Sequence, residues 1–115
     1  MEQLKRAYWF TFWIKDNGPS KGESITFCNN MSLRRAYSLF CSNLRVYRIG
    51  GSGPDSRPAR IKDVYWTLEE GYYDPEGILR YLTPKETHER LSEIGVQPDF
   101  PPWIGHDIKT YSVRR

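Results

Sequence analysis

Hydrophobic positions are densest near the start of the chain, where the stretch YWFTFWI holds five aromatic rings. In an extended strand, successive side chains point to opposite faces. One face then carries Tyr8, Phe10 and Phe12, and the other carries Trp9 and Trp13. An ordinary half-buried strand needs only one apolar face, so this strand needs a second cover. The cover could be another part of the chain, a second subunit in a homodimer, or a ligand.

The same kind of pattern predicts the other elements. Turn residues at 16–20 separate a first strand, residues 5–15, from a second, residues 24–28, and predict an antiparallel hairpin. Apolar residues at helical spacing over 33–44 predict a helix capped by Asn30 or Ser32. Later elements are expected as strands at 44–49 and 60–68, a short helix at 74–82, a helix from the capping box TPKE to residue 94, a Pro-rich coil at 96–103 and an edge strand at 109–113.

This order predicts a single α+β domain over residues 1–115. Its core would be an antiparallel sheet of four to five strands in ββαββ order, with helices packed on one face and a Pro-rich C-terminal tail. Helices on one face leave the other face open. We expect the tail, with Phe100 and Trp103, to fold over it.

Composition places the chain among globular proteins, with 15% aromatic and 27% charged residues. No secretory signal and no apolar run long enough to span a membrane are recognisable, so we expect a cytoplasmic protein without a membrane partner. Cys28 and Cys41 would then be reduced thiols, although a disulfide between them is an open alternative.

Charge is unevenly distributed along the chain. Residues 1–62 sum to +7, residues 63–108 to −7, and residues 109–115 to +3. This division predicts either one basic and one acidic surface, or two lobes that neutralise each other across an internal interface.

The basic first half suggests a nucleic-acid-binding surface. Rings on which bases stack, interleaved with cations that neutralise phosphates, are typical of single-strand binding on a sheet. The candidate residues are Trp9, Trp13, Lys15, Arg34, Arg35, Arg45, Arg57 and Arg60.

The acidic second half suggests a protein-binding surface, because Tyr and Trp dominate binding hot spots. The candidate residues are Tyr65, Glu69, Glu70, Tyr72, Tyr73 and Asp74.

Catalytic chemistry has less support. Cys28, Cys41, His88 and His106 lack the close spacing of metal ligands, so we predict no metal and no cofactor. The loop Gly50–Gly53 lacks the P-loop lysine and is interpreted as a flexible connection. His106, after a glycine in the C-terminal coil, is the best candidate for an acid–base role.

Three functions remain open from the sequence. The first is a small non-enzymatic accessory protein that docks on a protein or nucleoprotein partner, for example as an inhibitor of the kind phages and mobile elements encode. The second is a single-stranded nucleic-acid-binding module with a basic aromatic sheet face. The third is a small hydrolase or transferase centred on His106.

Overall fold

A four-stranded antiparallel sheet forms the centre of the computed structural model, which describes residues 6–17, 22–28, 31–50 and 53–100. In chain order the elements are β1 (Arg6–Ile14), β2 (Glu23–Phe27), α1 (Leu33–Asn43), β3 (Arg48–Ile49), β4 (Arg57–Pro58), β5 (Val64–Tyr73), β6 (Leu79–Tyr81) and α2 (Pro84–Glu93). The sheet has the order β2–β1–β5–β6. The predicted α+β class is confirmed. The ββαββ order is not matched, because β3 and β4 pair with each other outside the sheet.

The rings of β1 divide between two faces as the alternation predicts. Tyr8, Phe10 and Phe12 are buried on one face. Trp66 and Leu68 of β5 lie directly opposite Phe12 and Phe10 and extend the same apolar layer. Apolar burial on this face supplies most of the core, since each large ring removes roughly 150–250 Å² from water.

Helix α1 covers this layer. Ser32 caps it, and its Oγ accepts a hydrogen bond from the Arg35 amide at 3.2 Å. Phe40 stacks on Phe10 with 4.3 Å between ring centroids and 9° between ring planes. The apolar stripe predicted from the sequence is confirmed.

Helix α2 packs on the same face. The Thr83 hydroxyl accepts from the Glu86 amide, and the Glu86 carboxylate accepts from the Thr83 amide, which confirms the predicted capping box. Leu91 is buried in the core. The helix ends before Gly95, whose φ of +80° suits a residue without Cβ.

Three local predictions are wrong in part or in full. The strand expected at 60–68 starts only at Val64, after the 3-10 turn Ile61–Asp63, and continues to Tyr73 as β5. Residues 44–46 form a 3-10 turn rather than a strand, and it keeps Leu44 fully buried. Residues 74–82 form a turn and the short strand β6 rather than a helix. Asp74 Oδ1 accepts the amides of Glu76 and Ile78, and Gly77 adopts a φ of +84°.

Beyond α2, residues 96–100 lie in coil. The Trp66 amide donates to the Asp99 carbonyl at 2.8 Å, and the Phe100 ring lies 4.9 Å from the ring of His88. Trp103 and the predicted edge strand at 109–113 lie outside the described residues. Neither α1 nor α2 is long and apolar enough to cross a membrane, and the described residues hold no other helix that is.

Candidate interaction surfaces

Because α1 and α2 share one face of the sheet, the opposite face is built from strand residues, and we call it the helix-free face. Its members include Trp9, Thr11, Trp13, Ser24, Thr26, Tyr65, Thr67, Glu69, Tyr73 and Tyr81. Thr11 and Thr67 at its centre are 3% and 1% exposed, and Glu69 is 6% exposed. The centre of this face is therefore closed to solvent.

The two indoles predicted to stack bases are partly buried on this face. The Nε1 of Trp9 and the Oγ1 of Thr67 are buried, and neither has a hydrogen-bond partner among the described residues. Lys15 lies on the same side, with its Nζ 2.7 Å from Asp99 Oδ2 and 5.0 Å from the centroid of the Tyr65 ring. The structure thus brings Trp9, Trp13 and Lys15 together, with the lysine held in an ion pair.

Arg57 and Arg60 lie elsewhere, at the entry to β5. The Arg57 guanidinium donates to both oxygens of Asp63, at 2.8 and 2.7 Å, and the Arg60 amide donates to the same carboxylate. The hydrogen bonds from the Arg57 guanidinium, together with the one from the Arg60 amide, lower the pKa of Asp63 to about 2. Arg57 is therefore part of the local structure, while the Arg60 side chain is exposed.

The remaining predicted cations, Arg34, Arg35 and Arg45, define a surface that we call the arginine face of α1. All three are exposed. Arg34 lies in the first turn of α1 and Arg45 in the 3-10 turn that follows α1, about 16 Å further along at the helical rise of about 1.5 Å per residue. No carboxylate occurs between residues 24 and 54. Within the described ranges none of the three arginines forms an ion pair.

The sheet separates the arginine face from the indoles. Helix α1 places Phe40 against the covered face of the sheet, so its outer side points away from Trp9 and Trp13. The structure does not bring the predicted nucleic-acid-binding residues into one surface. Their roles stay predictions.

The predicted protein-binding residues are also divided. Tyr65, Glu69 and Tyr73 lie on the helix-free face, whereas Glu70 and Tyr72 point to the face that the helices cover. The sixth residue, Asp74, lies in the turn after β5. Its pKa is lowered, first by the Ile78 amide and also by Arg80, whose Nε is 3.1 Å away.

Glu70 has a structural environment rather than a surface one. It is fully buried, with Arg90 Nε 2.8 Å from Oε1 and Arg6 Nη1 3.6 Å from Oε2. Burial and, next, the charge of Glu70 raise the pKa of the neighbouring Tyr8. The guanidinium of Arg6 also lies 5.5 Å from the centroid of the Tyr72 ring. This cluster joins the sheet to α2.

Three ion pairs connect the basic first half of the chain to the acidic second half. They are Arg6–Glu70, Lys15–Asp99 and Arg57–Asp63. These pairs fit the alternative in which the two halves neutralise each other. No ion pair among the described residues neutralises the charge on the arginine face in this way.

The residues considered for catalysis or metal binding do not form a recognisable site in the described part of the chain. His106 lies outside the described residues. Cys28 and Cys41 are free thiols, and burial raises the pKa of the Cys41 thiol. In the described part of the chain, no three His, Cys, Asp or Glu side chains converge as metal ligands would.

Sequence reasoning missed three residues. Val46 beside Arg45 is 75% exposed. Its exposure was missed because a strand was predicted at 44–49. Tyr81 lies on the helix-free face, and its position follows only from pairing between β5 and β6. Arg90 lies between Glu89 and the buried Leu91 of α2, and no local signal indicates its buried partner.

Comparison with known protein families, with curated proteins and with solved structures finds no match to the chain.

Proposed function

We propose that the protein is a small non-enzymatic binding protein that docks on a protein or nucleoprotein partner through the arginine face of α1. The observation that carries this proposal is the exposure of Arg34, Arg35 and Arg45 without a carboxylate partner among the described residues. Most other described cations have a structural role. Those with an ion pair or a side-chain hydrogen bond are Arg6, Lys15, Arg48, Arg57, Arg80 and Arg90.

The position of Arg34 and Arg35 does not favour the stability of α1. Arg34 and Arg35 occupy the first turn of the helix, which holds no acidic residue. The N-terminus of a helix carries a partial positive charge, so cations there are unfavourable, typically by 0.3–1 kcal/mol each. An arrangement that costs the isolated helix stability is best explained by a contact outside the chain.

The chemistry of the face suits docking. Arg presents a planar fork of donors that matches carboxylate and phosphate groups bidentately. The exposed side chain of Val46 adds apolar area beside Arg45. Occupying an acidic surface of a partner would make the protein an accessory protein or inhibitor. The free thiols of Cys28 and Cys41 suit a cytoplasmic location.

A single-strand-binding module is the second function that the sequence suggests, and we rank it lower. It requires bases to stack on Trp9 and Trp13 within reach of several cations. Both indoles are partly buried, and the arginine face lies across the sheet from them. Docking through α1 does not require Trp9 or Trp13 to become more exposed, and it does not require the sheet to rearrange.

Affinity capture from host extract with matched variants tests the proposal. The variants R34E/R35E and K62E/K85E change the net charge equally, but only the first alters the arginine face. Lys62 and Lys85 are likewise exposed, so both variants should remain folded, which circular dichroism would verify. We expect the wild type and K62E/K85E to capture the same stoichiometric partner, and R34E/R35E to recover about ten-fold less, a loss of about 1.4 kcal/mol in binding. Equal recovery by the two variants would overturn docking through α1.

A further inference from the structure

We infer that the arginine face of α1 binds the phosphate backbone of double-stranded nucleic acid. The inference rests on the proposed function and specifies it: in a nucleoprotein partner, the nucleic acid makes the contact. Three observations lead to it, namely the single sign of the face, the length over which that sign persists, and the distance of the face from the aromatic rings.

Within α1 and the 3-10 turn that follows it, charge is of one sign only, and Glu93 of α2 lines a pocket with Arg34 at one end of the arginine face. Ser38 and Ser42 are exposed between Arg34 and Arg45, so hydroxyl groups, and not carboxylates, separate the cations. Soluble protein surfaces intersperse both signs of charge. An acidic protein partner would present some cations to this face, whereas a phosphate backbone presents none. Arg and Ser side chains are also among the common donors to phosphate oxygens.

The face is long enough to contact several phosphates. Arg34 and Arg45 are about 16 Å apart along α1 and the 3-10 turn that follows it. Each strand of duplex DNA carries one phosphate per roughly 3.4 Å of its axis. Three arginines over this length can therefore each reach a different phosphate. The first turn of α1, which carries Arg34 and Arg35, adds the partial positive charge of the helix N-terminus.

The rings indicate a duplex rather than a single strand. Tight sequence-tolerant binding of single strands uses aromatic rings on which successive bases stack, next to the cations. Trp9 and Trp13 lie on the helix-free face, with the sheet between them and α1. Phosphates bound at the arginine face would belong to nucleic acid whose bases are not stacked on these indoles. In a duplex the bases are already paired and stacked on one another, so binding of its backbone requires no contact with the indoles.

Fluorescence anisotropy on the full chain tests the inference. The probes are a labelled mixed-sequence DNA duplex of about 20 base pairs and one of its strands, each titrated between about 50 and about 200 mM salt. We expect the duplex to bind at least as tightly as the strand. With three phosphate contacts, the slope of log K on log salt should be close to −2.7, so affinity should fall roughly forty-fold over this range. The variants R34A and R45A should each reduce the slope by about one.

Matched variants and a competitor decide among the outcomes. K62E/K85E should bind the duplex within about three-fold of wild type, whereas R34E/R35E should abolish binding. A polyglutamate peptide should displace the duplex poorly, because it offers carboxylates without the spacing of a duplex backbone. Three results would each overturn the inference: no duplex binding at low salt, equal binding by R34E/R35E, or a clear preference for the single strand.

The two proposals can fail separately. If affinity capture depends on Arg34 and Arg35 but survives nuclease treatment, and the duplex does not bind, docking through α1 stands and the nucleic-acid inference is wrong. If R34E/R35E changes neither capture nor duplex binding, both are wrong.

Discussion

Arg90 of α2 donates from Nε to Oε1 of Glu70 at a distance of 2.8 Å, and Glu70 is fully buried in β5. Among the described residues, the second carboxylate oxygen has only Arg6 near it, 3.6 Å away. A buried charge is costly unless it is paired. The packing of α2 on the sheet therefore depends on this charged contact as well as on the burial of Leu91.

Replacing Arg90 with Met should destabilise the fold strongly, because it leaves Glu70 buried with only a distant cation. Breaking one partner of a buried pair costs several kcal/mol, and with Arg6 nearby we expect about 3 kcal/mol in the free energy of unfolding. Urea unfolding would measure it. The matched control is R80M, which breaks the pair with Asp74 at the exposed β5–β6 turn and should cost less than about 1 kcal/mol.

The double variant E70L/R90M separates charge from shape. Apolar residues of similar volume often replace a buried ion pair without loss, so this variant should recover most of the stability lost in R90M. If R90M were no more destabilising than R80M, the charged contact between α2 and β5 would not be important for stability.

Phe40 is the second point at which a helix is fixed to the sheet. Its ring stacks on Phe10 and meets Phe12 at a centroid distance of 5.9 Å, and it is fully buried. Phe40→Ala should cost about 4 kcal/mol in unfolding free energy, since it creates a cavity among rings that cannot easily collapse. Val46→Ala, at a position that is 75% exposed, should change stability by less than about 0.5 kcal/mol. If the two variants lost similar amounts of unfolding free energy, Phe40 would not be a core residue.

The parts of the fold that local chemistry determines could be predicted. The stripe of α1, the Thr83 capping box and the stop before Gly95 each depend on residues within one or two turns. The helix predicted at 74–82 failed for the opposite reason. Asp74 and the following proline resemble a helix start, but pairing of Leu79–Tyr81 with β5 decides the conformation. Gly77, whose φ is +84°, is a local sign of a turn.

The candidate surfaces were harder to predict than the elements. Glu69 and Glu70 were placed in one acidic patch, although neighbours in a strand point to opposite faces. That rule could not be applied to them from the sequence, because the predicted strand ended at residue 68, whereas β5 continues to Tyr73. The distance between Trp9 and the arginine face could not be inferred in the same way, because it depends on which face α1 covers. Trp9 and Phe10 give each face of β1 a large ring, so periodicity does not choose between them.

Gly71 lies where β1, β5 and β6 meet, opposite Ala7 and Tyr81. A Cβ there would lie 3.0 Å from the Arg80 carbonyl oxygen, which belongs to the backbone and cannot rotate away. We expect Gly71→Ala to lower stability by about 1–3 kcal/mol through displacement of β6. Gly53→Ala, where a Cβ meets nothing within 4 Å, is the control and should be neutral or slightly stabilising. Thermal melts compare the two variants, and equal melting temperatures would show that the β5–β6 pairing absorbs the extra methyl group.

The pair between Asp63 and Arg57 predicts how stability depends on pH. The Arg57 fork lowers the pKa of Asp63 from 3.8 to about 2 in the folded protein. A carboxylate whose pKa is depressed on folding stabilises the fold above its unfolded pKa, and this contribution is lost as the pH falls through the folded value. The difference in unfolding free energy between wild type and D63N should therefore be constant above about pH 5 and shrink as the pH falls towards about 2. Urea titrations at several pH values measure it, with D55N, which removes an exposed carboxylate, expected to keep the wild-type dependence. Parallel curves for wild type and D63N across this range would mean that the Arg57 fork does not hold Asp63 ionised.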